Sequence, residues 1–254
     1  MTTTAATGGR YRFRQVARME WIKLRSLRST WLALAVTVAG AIGIATAVGV
    51  NTRDAAADLT NNSLAGISLG LLVIGVLGVL VMTGEYSSGM IRATLAAVPD
   101  RPLVLAAKTA VFGAVALAAG EVGAFIAFFA GAAALPDRIP APTLGQPGAL
   151  RAVVLTGVGF CLVGLIGLGL GAIIRHTPAA IAVLVGGVWV VGQIVGAAAH
   201  ALMGYVPISI VANSLGTTQP LEGMLTPWAG LAVLSLYAAV ALGVGGWLLA
   251  KRDA

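Results

Sequence analysis

Long apolar stretches alternate with short polar segments along the whole chain. Each stretch has roughly twenty or more residues with almost no charge, and turn-forming or polar residues separate them. An α-helix rises about 1.5 Å per residue, so about 20 residues cross a hydrocarbon layer of about 30 Å. Backbone polar groups must be satisfied inside lipid, which favours helices. The predicted spans are 31–50, 64–83, 105–134, 151–174, 179–199 and 227–250.

The composition fits this pattern. The chain has 254 residues, of which 58% are hydrophobic and only 10% are charged, with a mean hydropathy of +0.95. Soluble domains carry about 25% charged residues, so we expect an all-α integral membrane protein. Its organisation is a cytoplasmic N-terminal segment (1–30), a six-span membrane domain (31–250) and a short cytoplasmic tail (251–254). The one cysteine, Cys161, lies in an apolar stretch and predicts neither a disulfide nor a metal site.

The basic residues predict the orientation. Thirteen of the sixteen Lys and Arg residues fall on one side of the predicted spans, which places both termini in the cytoplasm and requires an even number of spans. The net charge of +7 does not indicate nucleic-acid binding, because its excess lies beside the first span, where anionic lipid is the nearer partner. A long basic segment before a spanning-length stretch argues against a cleavable signal peptide. The three basic residues on the other side are Arg53, Arg138 and Arg151.

Residues 11–31 have an amphipathic pattern. Arg14, Arg18 and Arg25 share one helical face, which predicts a helix lying in the membrane interface; a simple basic flank is the alternative. Glu20 falls in the middle of the apolar face, where it pairs either with Lys23 one turn later or with a polar group elsewhere in the protein. The apolar face comprises Phe13, Val16, Ala17, Leu24, Leu27 and Trp31.

A second polar segment follows the second span. Ser87 or Ser88 is a candidate N-cap for a short helix through Leu95, and Pro99 would end that helix. A short helix there suits a docking contact with a soluble partner, and an ordinary turn is the alternative. The candidate docking residues of this segment are Glu85, Tyr86, Gly89, Arg92, Pro99 and Arg101, and Lys108 follows at the start of the third span.

These two segments resemble the ABC type-2 transporter permease family, the membrane subunits of many bacterial exporters. Such permeases often begin with a segment similar to Glu20-Trp21-Ile22-Lys23-Leu24-Arg25. After their second span they often show an acid, an aromatic residue, a glycine, a basic residue, then Pro and Arg, as in this sequence. Met90 stands where threonine is common. The resemblance covers the topology of nearly the whole chain, but residue-level similarity is confined to these segments.

The resemblance implies a six-span permease in a bacterial inner (plasma) membrane. The segment holding Glu20, Lys23 and Arg25 would be an elbow helix along the membrane, and Glu85 to Arg101 would dock onto an ATP-binding cassette subunit. Two permeases, as a homodimer or heterodimer, normally pair above two ATPases. The sequence contains no phosphate-binding G-x-x-x-x-G-K-[ST] loop, so we expect no cofactor and no enzymatic activity in this chain, with ATP and Mg²⁺ bound by the partner. The apolar interior favours an amphipathic or hydrophobic cargo.

Two intramembrane features carry candidate chemistry. Glu121 lies deep in the third span and should face the protein interior, as a polar contact in the transport path or dimer interface, or as a structural hydrogen bond. Gly66-Ile67-Ser68-Leu69-Gly70 matches the nucleophile-elbow pattern G-x-S-x-G, with His200 on the same side, but it opens an apolar helix instead of following a strand. Glycine pairs that favour close helix packing are Gly66 with Gly70, Gly167 with Gly171, and Gly192 with Gly196.

The sequence leaves other functions open. A non-transporting scaffold or sensor partner would use the same topology without an ATPase. An ion-coupled secondary transporter should have several intramembrane charges and inverted repeats. Among the predicted spans, only Glu121 is such a charge. Residues 200–226 are too apolar for a free loop, so we expect short helices packed on, or dipping into, the membrane surface.

Overall fold

The protein is all-helical in the residues that the computed structural model describes, which are 12–54, 57–219 and 221–252, without the side chain of His200. Six helices are long and apolar enough to cross a membrane, which confirms the all-α fold class and the number of predicted spans. They are α2 (Arg28–Asn51), α4 (Ile67–Ser87), α6 (Arg101–Ala133), α7 (Ala149–Ile174), α8 (Thr177–Ala198) and α11 (Pro227–Lys251). The shorter helices are α1 (Phe13–Ser26), α3 (Leu59–Leu64), α5 (Met90–Ala97), α9 (His200–Met203) and α10 (Pro207–Ser209).

Local sequence signals explain where several of these helices begin. The Asp100 carboxylate accepts the backbone N–H of Leu103 at the start of α6, and the Thr226 hydroxyl accepts that of Ala229 in α11. Both helices have a proline in the first turn, where its missing N–H costs nothing. These N-caps satisfy backbone donors at the point where each apolar stretch starts.

Hydrogen bonds between distant segments place the start of α6, the end of α7 and the end of α11 at the same end of the bundle. The Arg101 guanidinium donates to the backbone carbonyls of Leu249 and Arg252, at 3.0 and 2.8 Å. Arg175, after α7, donates to the carbonyl of Leu248 at 3.0 Å. We call this the terminal end of the bundle, and the opposite end the loop end. Lys108, near the start of α6, pairs with Glu20 of α1, so both described ends of the chain lie at the terminal end and the number of crossings is even.

The core forms where α4, α6 and α7 meet. Helix α7 is central and the most buried span; α11 packs directly on it, and α2 packs on α4 and α6. Glycines bring α4 and α7 into backbone contact, because a Cβ at Gly78 would clash with the carbonyl oxygen of Gly164, and one at Gly167 with that of Gly75. The expected close approach at Gly167 is therefore present, with α4 as the partner helix.

The fifth long helix, α8, departs from regular α-helical geometry. Its central residues, Val183–Val191, are π-helical. Near its start Ala180 and Leu184 are buried against α4, whereas a Cβ at Gly186 or Gly187 would meet nothing within 4 Å. No sequence signal indicates this geometry, since the segment reads as an ordinary apolar span.

The segment between α8 and α11 contains the expected short helices. A π-helical turn, Ile210–Leu215, follows α10 and buries Ile210, Val211, Ser214 and Leu215. Its side chains pack on α7 and α11. Leu215 lies against Gly159 of α7 and Ile210 lies against Gly230 of α11, so closely that a Cβ added at either glycine would touch them. This packing explains why the segment is too apolar for a free loop.

The N-terminal segment differs from its prediction in one respect. The predicted interfacial helix over 11–31, of which residue 11 lies outside the described residues, ends earlier in the structure, because the backbone of Leu27 is extended (φ −83°, ψ 94°) and the first span already begins at Arg28. The buried residues of α1 are Val16, Glu20 and Leu24. Phe13, Leu27 and Trp31, which were predicted on the same apolar face, are 41–48% exposed. The interior-facing stripe is therefore narrower than the periodicity suggested.

Asp58, before α3, joins two segments at the loop end. One carboxylate oxygen accepts the backbone N–H of Asn61 at 3.0 Å, and the other accepts the Thr217 hydroxyl at 2.9 Å and the Thr218 N–H at 2.6 Å. Arg151 donates to the carbonyl of Thr217 at 2.9 Å. Although partial burial raises the pKa of Asp58, these hydrogen bonds outweigh it and hold the pKa below its ordinary value.

We expect Asp58→Asn to lower the free energy of unfolding by about 1 kcal/mol at neutral pH, since hydrogen bonds to a charged acceptor are lost. A depressed pKa stabilises the fold above the unfolded-state value and ceases to do so as the pH falls through the folded-state value. The difference from wild type should therefore shrink below about pH 4. SDS titration of the detergent-solubilised protein at two pH values measures it.

Asp137→Asn is the matched control, because Asp137 is an exposed acid in another loop at the same end. It should leave the free energy of unfolding unchanged at both pH values. An equal loss for Asp58→Asn at acid and neutral pH would show that shape, and not charge, accounts for the contribution of Asp58.

Candidate functional site

Four charged side chains from three helices meet at the terminal end. Glu20 and Lys23 come from α1, Glu85 from the last turn of α4, and Lys108 from the second turn of α6. The Lys108 ammonium lies 2.5 Å from Glu20 and 2.6 Å from Glu85, and the Lys23 ammonium lies 2.6 Å from Glu20 and 2.7 Å from Glu85. Each cation thus contacts both carboxylates. We call these four residues the charge cluster.

The charge cluster is largely withdrawn from solvent. The side chains of Glu20, Glu85 and Lys108 are 3–5% exposed, and that of Lys23 is 21% exposed. Isolated buried charges are very costly, but here two carboxylates face two ammonium groups and the formal charges cancel. Burial lowers the pKa of Lys23, yet the hydrogen bonds to Glu20 and Glu85 and the negative charges of both acids together raise it by more, so its pKa lies above the ordinary value. Lys23 is therefore held in its charged form.

The charge cluster also holds helix α5. The Thr94 hydroxyl, which is buried, lies 3.2 Å from the Lys23 ammonium and 3.4 Å from a carboxylate oxygen of Glu85. Ile91, one turn earlier, is also buried. The inward side of α5 is thus fixed to the same residues that join α1, α4 and α6, and a displacement of α5 must act on all three helices.

The opposite side of α5 is exposed. Arg92, Ala93, Ala96 and Ala97 lie on it, and Met90 at its start is 45% exposed. Gly89, with φ of +70°, makes the sharp turn from α4 into α5, a backbone region that glycine adopts without a steric penalty. The predicted serine cap is wrong: Ser87 and Ser88 bond back to the carbonyl of Gly84 and belong to the end of α4.

Some of the residues predicted to dock a partner are exposed, and others are held inside the protein by contacts with other helices. Glu85 is buried in the charge cluster, and the Tyr86 ring packs under the Arg175 guanidinium at 5.2 Å. Arg101 braces the end of α11 through its bonds to Leu249 and Arg252. Arg92 and Pro99 are exposed. Among the residues predicted to dock a partner, the surface that the partner can reach is therefore centred on Arg92. The predicted residues that face inward hold this surface in position.

The sequence left two pairings open for Glu20, and the structure contains both of them. Glu20 pairs with Lys23 one turn away and with Lys108, which is 88 residues further along the chain. The part played by Lys108 was missed. A signal existed, because a lysine one turn inside an apolar span and an acid on an apolar helical face each require a polar partner.

Glu121 lies apart from the charge cluster, deeper in α6. It is half-buried and faces α7 at Gly157, where a Cβ would come within 2.6 Å of its carboxyl carbon. It therefore faces a neighbouring helix, as expected. Within the described ranges no hydrogen bond or ion pair to Glu121 is present, so the structural hydrogen bond, one of the two alternatives for this residue, is not seen. Ser68 lies in the first turn of α4, and the side chain of His200 falls outside the described residues.

Comparison of the chain with protein-family models and with curated proteins finds no match.

Proposed function

We propose that this chain is the membrane-spanning permease subunit of an ABC-type exporter. The observation that carries the proposal is the exposed helix α5 on the buried charge cluster. This places a short helix with one accessible basic residue, Arg92, at the end of a six-helix bundle, and ties it to three other helices. A soluble motor subunit needs such a contact to move membrane helices.

The proposal assigns a mechanical role to the charge cluster. A nucleotide-binding subunit that docks on α5 would push or rotate it when ATP binds. Thr94 and Glu85 would pass that displacement to α1 and α6, because Lys23 and Lys108 each contact both acids. Packed cores and interfaces respond to such shifts by switching between discrete arrangements. ATP and Mg²⁺ would be bound by the partner, and an amphipathic or hydrophobic cargo would cross between two permease copies.

Under this proposal the terminal end faces the cytoplasm. It carries most of the basic residues, and basic residues favour the cytoplasmic side of a membrane. Helix α1 would lie along that surface as the elbow helix, and α5 would face the cytoplasm. The membrane is proposed to be a bacterial plasma membrane.

The test is to purify the tagged chain in detergent from cells that contain its native partners. We expect a nucleotide-binding subunit, identified by peptides containing a G-x-x-x-x-G-K-[ST] loop, to co-purify with vanadate-sensitive ATP hydrolysis. Arg92→Glu reverses an exposed charge without touching the charge cluster, and should reduce the recovered ATPase by about tenfold, or about 1.4 kcal/mol.

Arg138→Glu is the matched control, since Arg138 is an exposed arginine in a loop away from the charge cluster, between α6 and α7. It should recover as much ATPase as the unmodified chain. A preparation that holds no nucleotide-binding subunit would contradict the exporter proposal and favour a scaffold. Equal losses of recovered ATPase for Arg92→Glu and Arg138→Glu would rule out α5 as the docking site.

A further inference from the structure

A large apolar groove lies between α2 and α6. Its volume is about 1030 Å³, at the upper end of the range of about 300–1,000 Å³ typical of small-molecule sites. Small side chains form much of its walls, among them Ala35 and Ala39 of α2 and Ala114 and Ala118 of α6. The groove opens to the side of the bundle, where lipid would surround it.

The length of the groove matches one leaflet of a bilayer. On α2 it extends from Trp31 to Ile42, and on α6 from Ala110 to Val122. At about 1.5 Å per residue these segments are about 17 Å long, close to half of a hydrocarbon core of about 30 Å. An interface with another membrane protein has no reason to stop at mid-depth, whereas an acyl chain of one leaflet does.

Two tryptophans mark the mouth of the groove. Trp21 of α1 and Trp31 of α2 meet edge to face with ring centroids 6.5 Å apart, and both are about 40% exposed. The Trp31 indole N–H donates to the backbone carbonyl of Arg25 at 3.3 Å. Tryptophan is enriched at the level of lipid headgroups. The groove therefore begins at that level and continues into the apolar layer.

Arginines flank this mouth. Arg14, Arg18, Trp21 and Arg25 are spaced by four, three and four residues, so they share one face of α1. All four are exposed. Arg28 stands one turn before Trp31 on α2 and is also exposed. The acid of α1, Glu20, points the other way into the charge cluster, so this face is positively charged in the part of α1 that the structure describes.

We infer that this groove binds an anionic glycerophospholipid from the leaflet at the terminal end. One acyl chain fills the groove between α2 and α6, and the headgroup phosphate lies against Arg18, Arg25 and Arg28. Guanidinium groups bind phosphate through paired N–H donors. Several arginines together also repel the ammonium group of a zwitterionic headgroup, which favours an anionic one. This inference does not depend on the exporter proposal, because it concerns a different face of the bundle from α5.

The experiment uses the tryptophans at the mouth as reporters. Trp189→Phe/Trp228→Phe/Trp247→Phe leaves Trp21 and Trp31 as the fluorophores of the 254-residue chain. The protein is reconstituted into phosphatidylcholine vesicles containing either dibrominated phosphatidylglycerol or dibrominated phosphatidylcholine, whose bromines quench adjacent tryptophans. We expect the brominated anionic lipid to bind the quenching site at least about fivefold more strongly, as one arginine near a lipid surface would produce.

Arg18→Gln/Arg25→Gln/Arg28→Gln removes all three arginines assigned to the headgroup phosphate and should abolish this preference. Arg92→Gln/Arg252→Gln removes two exposed arginines of the terminal end away from the groove, and should retain it. A variant that keeps only Trp228, near the loop end, should show no preference for the anionic lipid. Equal quenching by both lipids would overturn the inference. Weak quenching by both would also overturn it, because a protein chain would then cover the groove.

A second measurement keeps all five native tryptophans. The unmodified protein is washed extensively in detergent, and the retained lipid is quantified by mass spectrometry. About one anionic phospholipid per chain should remain, and Arg18→Gln/Arg25→Gln/Arg28→Gln should lose it while Arg92→Gln/Arg252→Gln retains it. Retained lipid with the same headgroup composition as the bulk membrane would contradict the inference even if the tryptophan variants do not fold.

Discussion

Replacing Lys108 with methionine is expected to lower the free energy of unfolding by about 3–5 kcal/mol, the range observed when one partner of a buried ion pair is removed. Lys108 is 3% exposed and contacts both Glu20 and Glu85. Without it, two buried carboxylates share the single ammonium of Lys23, and a net negative charge remains in a site with little access to water. SDS titration of the detergent-solubilised protein would measure the loss.

Lys23→Met is the matched comparison within the charge cluster. Lys23 also contacts both acids, but its side chain is 21% exposed, so water screens the change. Its loss should be smaller, about 1 kcal/mol. If Lys23→Met and Lys108→Met destabilise equally, burial does not control the strength of these ion pairs, and desolvation is not the reason that Lys108 contributes to stability.

A double variant tests whether the two charges act together. Glu20→Met/Lys108→Met removes one acid and one base and leaves Lys23 paired with Glu85 at 2.7 Å. Because the remaining site is neutral, this variant should be more stable than Lys108→Met alone. If the losses in unfolding free energy are additive, Glu20 and Lys108 contribute independently. The short distances within the charge cluster would then not correspond to any coupling energy.

Much of this fold could be predicted from the sequence, because the bilayer imposes simple rules. Apolar stretches of spanning length must be helical, and the charge distribution requires that their number be even. Asp100 and Thr226 cap α6 and α11 through neighbours three residues away, a local signal that the prediction of spans beginning at 105 and 227 did not use. The break between α1 and α2 was predicted near residue 31 and lies at Leu27, since neither glycine nor proline marks its position and tertiary packing of Val16 and Leu24 sets the direction of α1.

The site was less predictable than the fold. Glu20 and Glu85 could be singled out as acids in apolar surroundings, but their common partner Lys108 lies 88 and 23 residues from them. No local spacing encodes such a pairing. The same limit applies to Asp58 and Thr217, which are 159 residues apart. Local patterns identify which side chains need partners, and three-dimensional packing decides which partners they find.

The glycine pairs show the same division between local and tertiary information. Gly167 and Gly171 were predicted to allow a close helix approach, but not against which helix. In the structure they face α4, at Gly75 and at Val79 and Met82. Small residues let two backbones approach, and the shape of both helices then determines the register. The energetic importance of this contact can be tested at Gly167.

Gly167→Ala is expected to lower the free energy of unfolding by about 3 kcal/mol, at the upper end of the cost of overpacking a core. The added Cβ would clash with the carbonyl oxygen of Gly75 and reach within 3.1 Å of its Cα, so the obstacle is backbone that no rotamer change can remove. Helices α4 and α7 would have to separate at the centre of the bundle. SDS titration in detergent would give the free energy.

Gly243→Ala on α11 is the matched control, because a Cβ there meets nothing within 4 Å. Alanine is intrinsically more favourable than glycine in a helix by up to about 1 kcal/mol, so this variant should be as stable as the unmodified protein or slightly more stable. The two substitutions are chemically identical and should have opposite signs. If both were stabilising, α4 and α7 would not be in backbone contact at Gly167, and the bundle would be packed around a different centre.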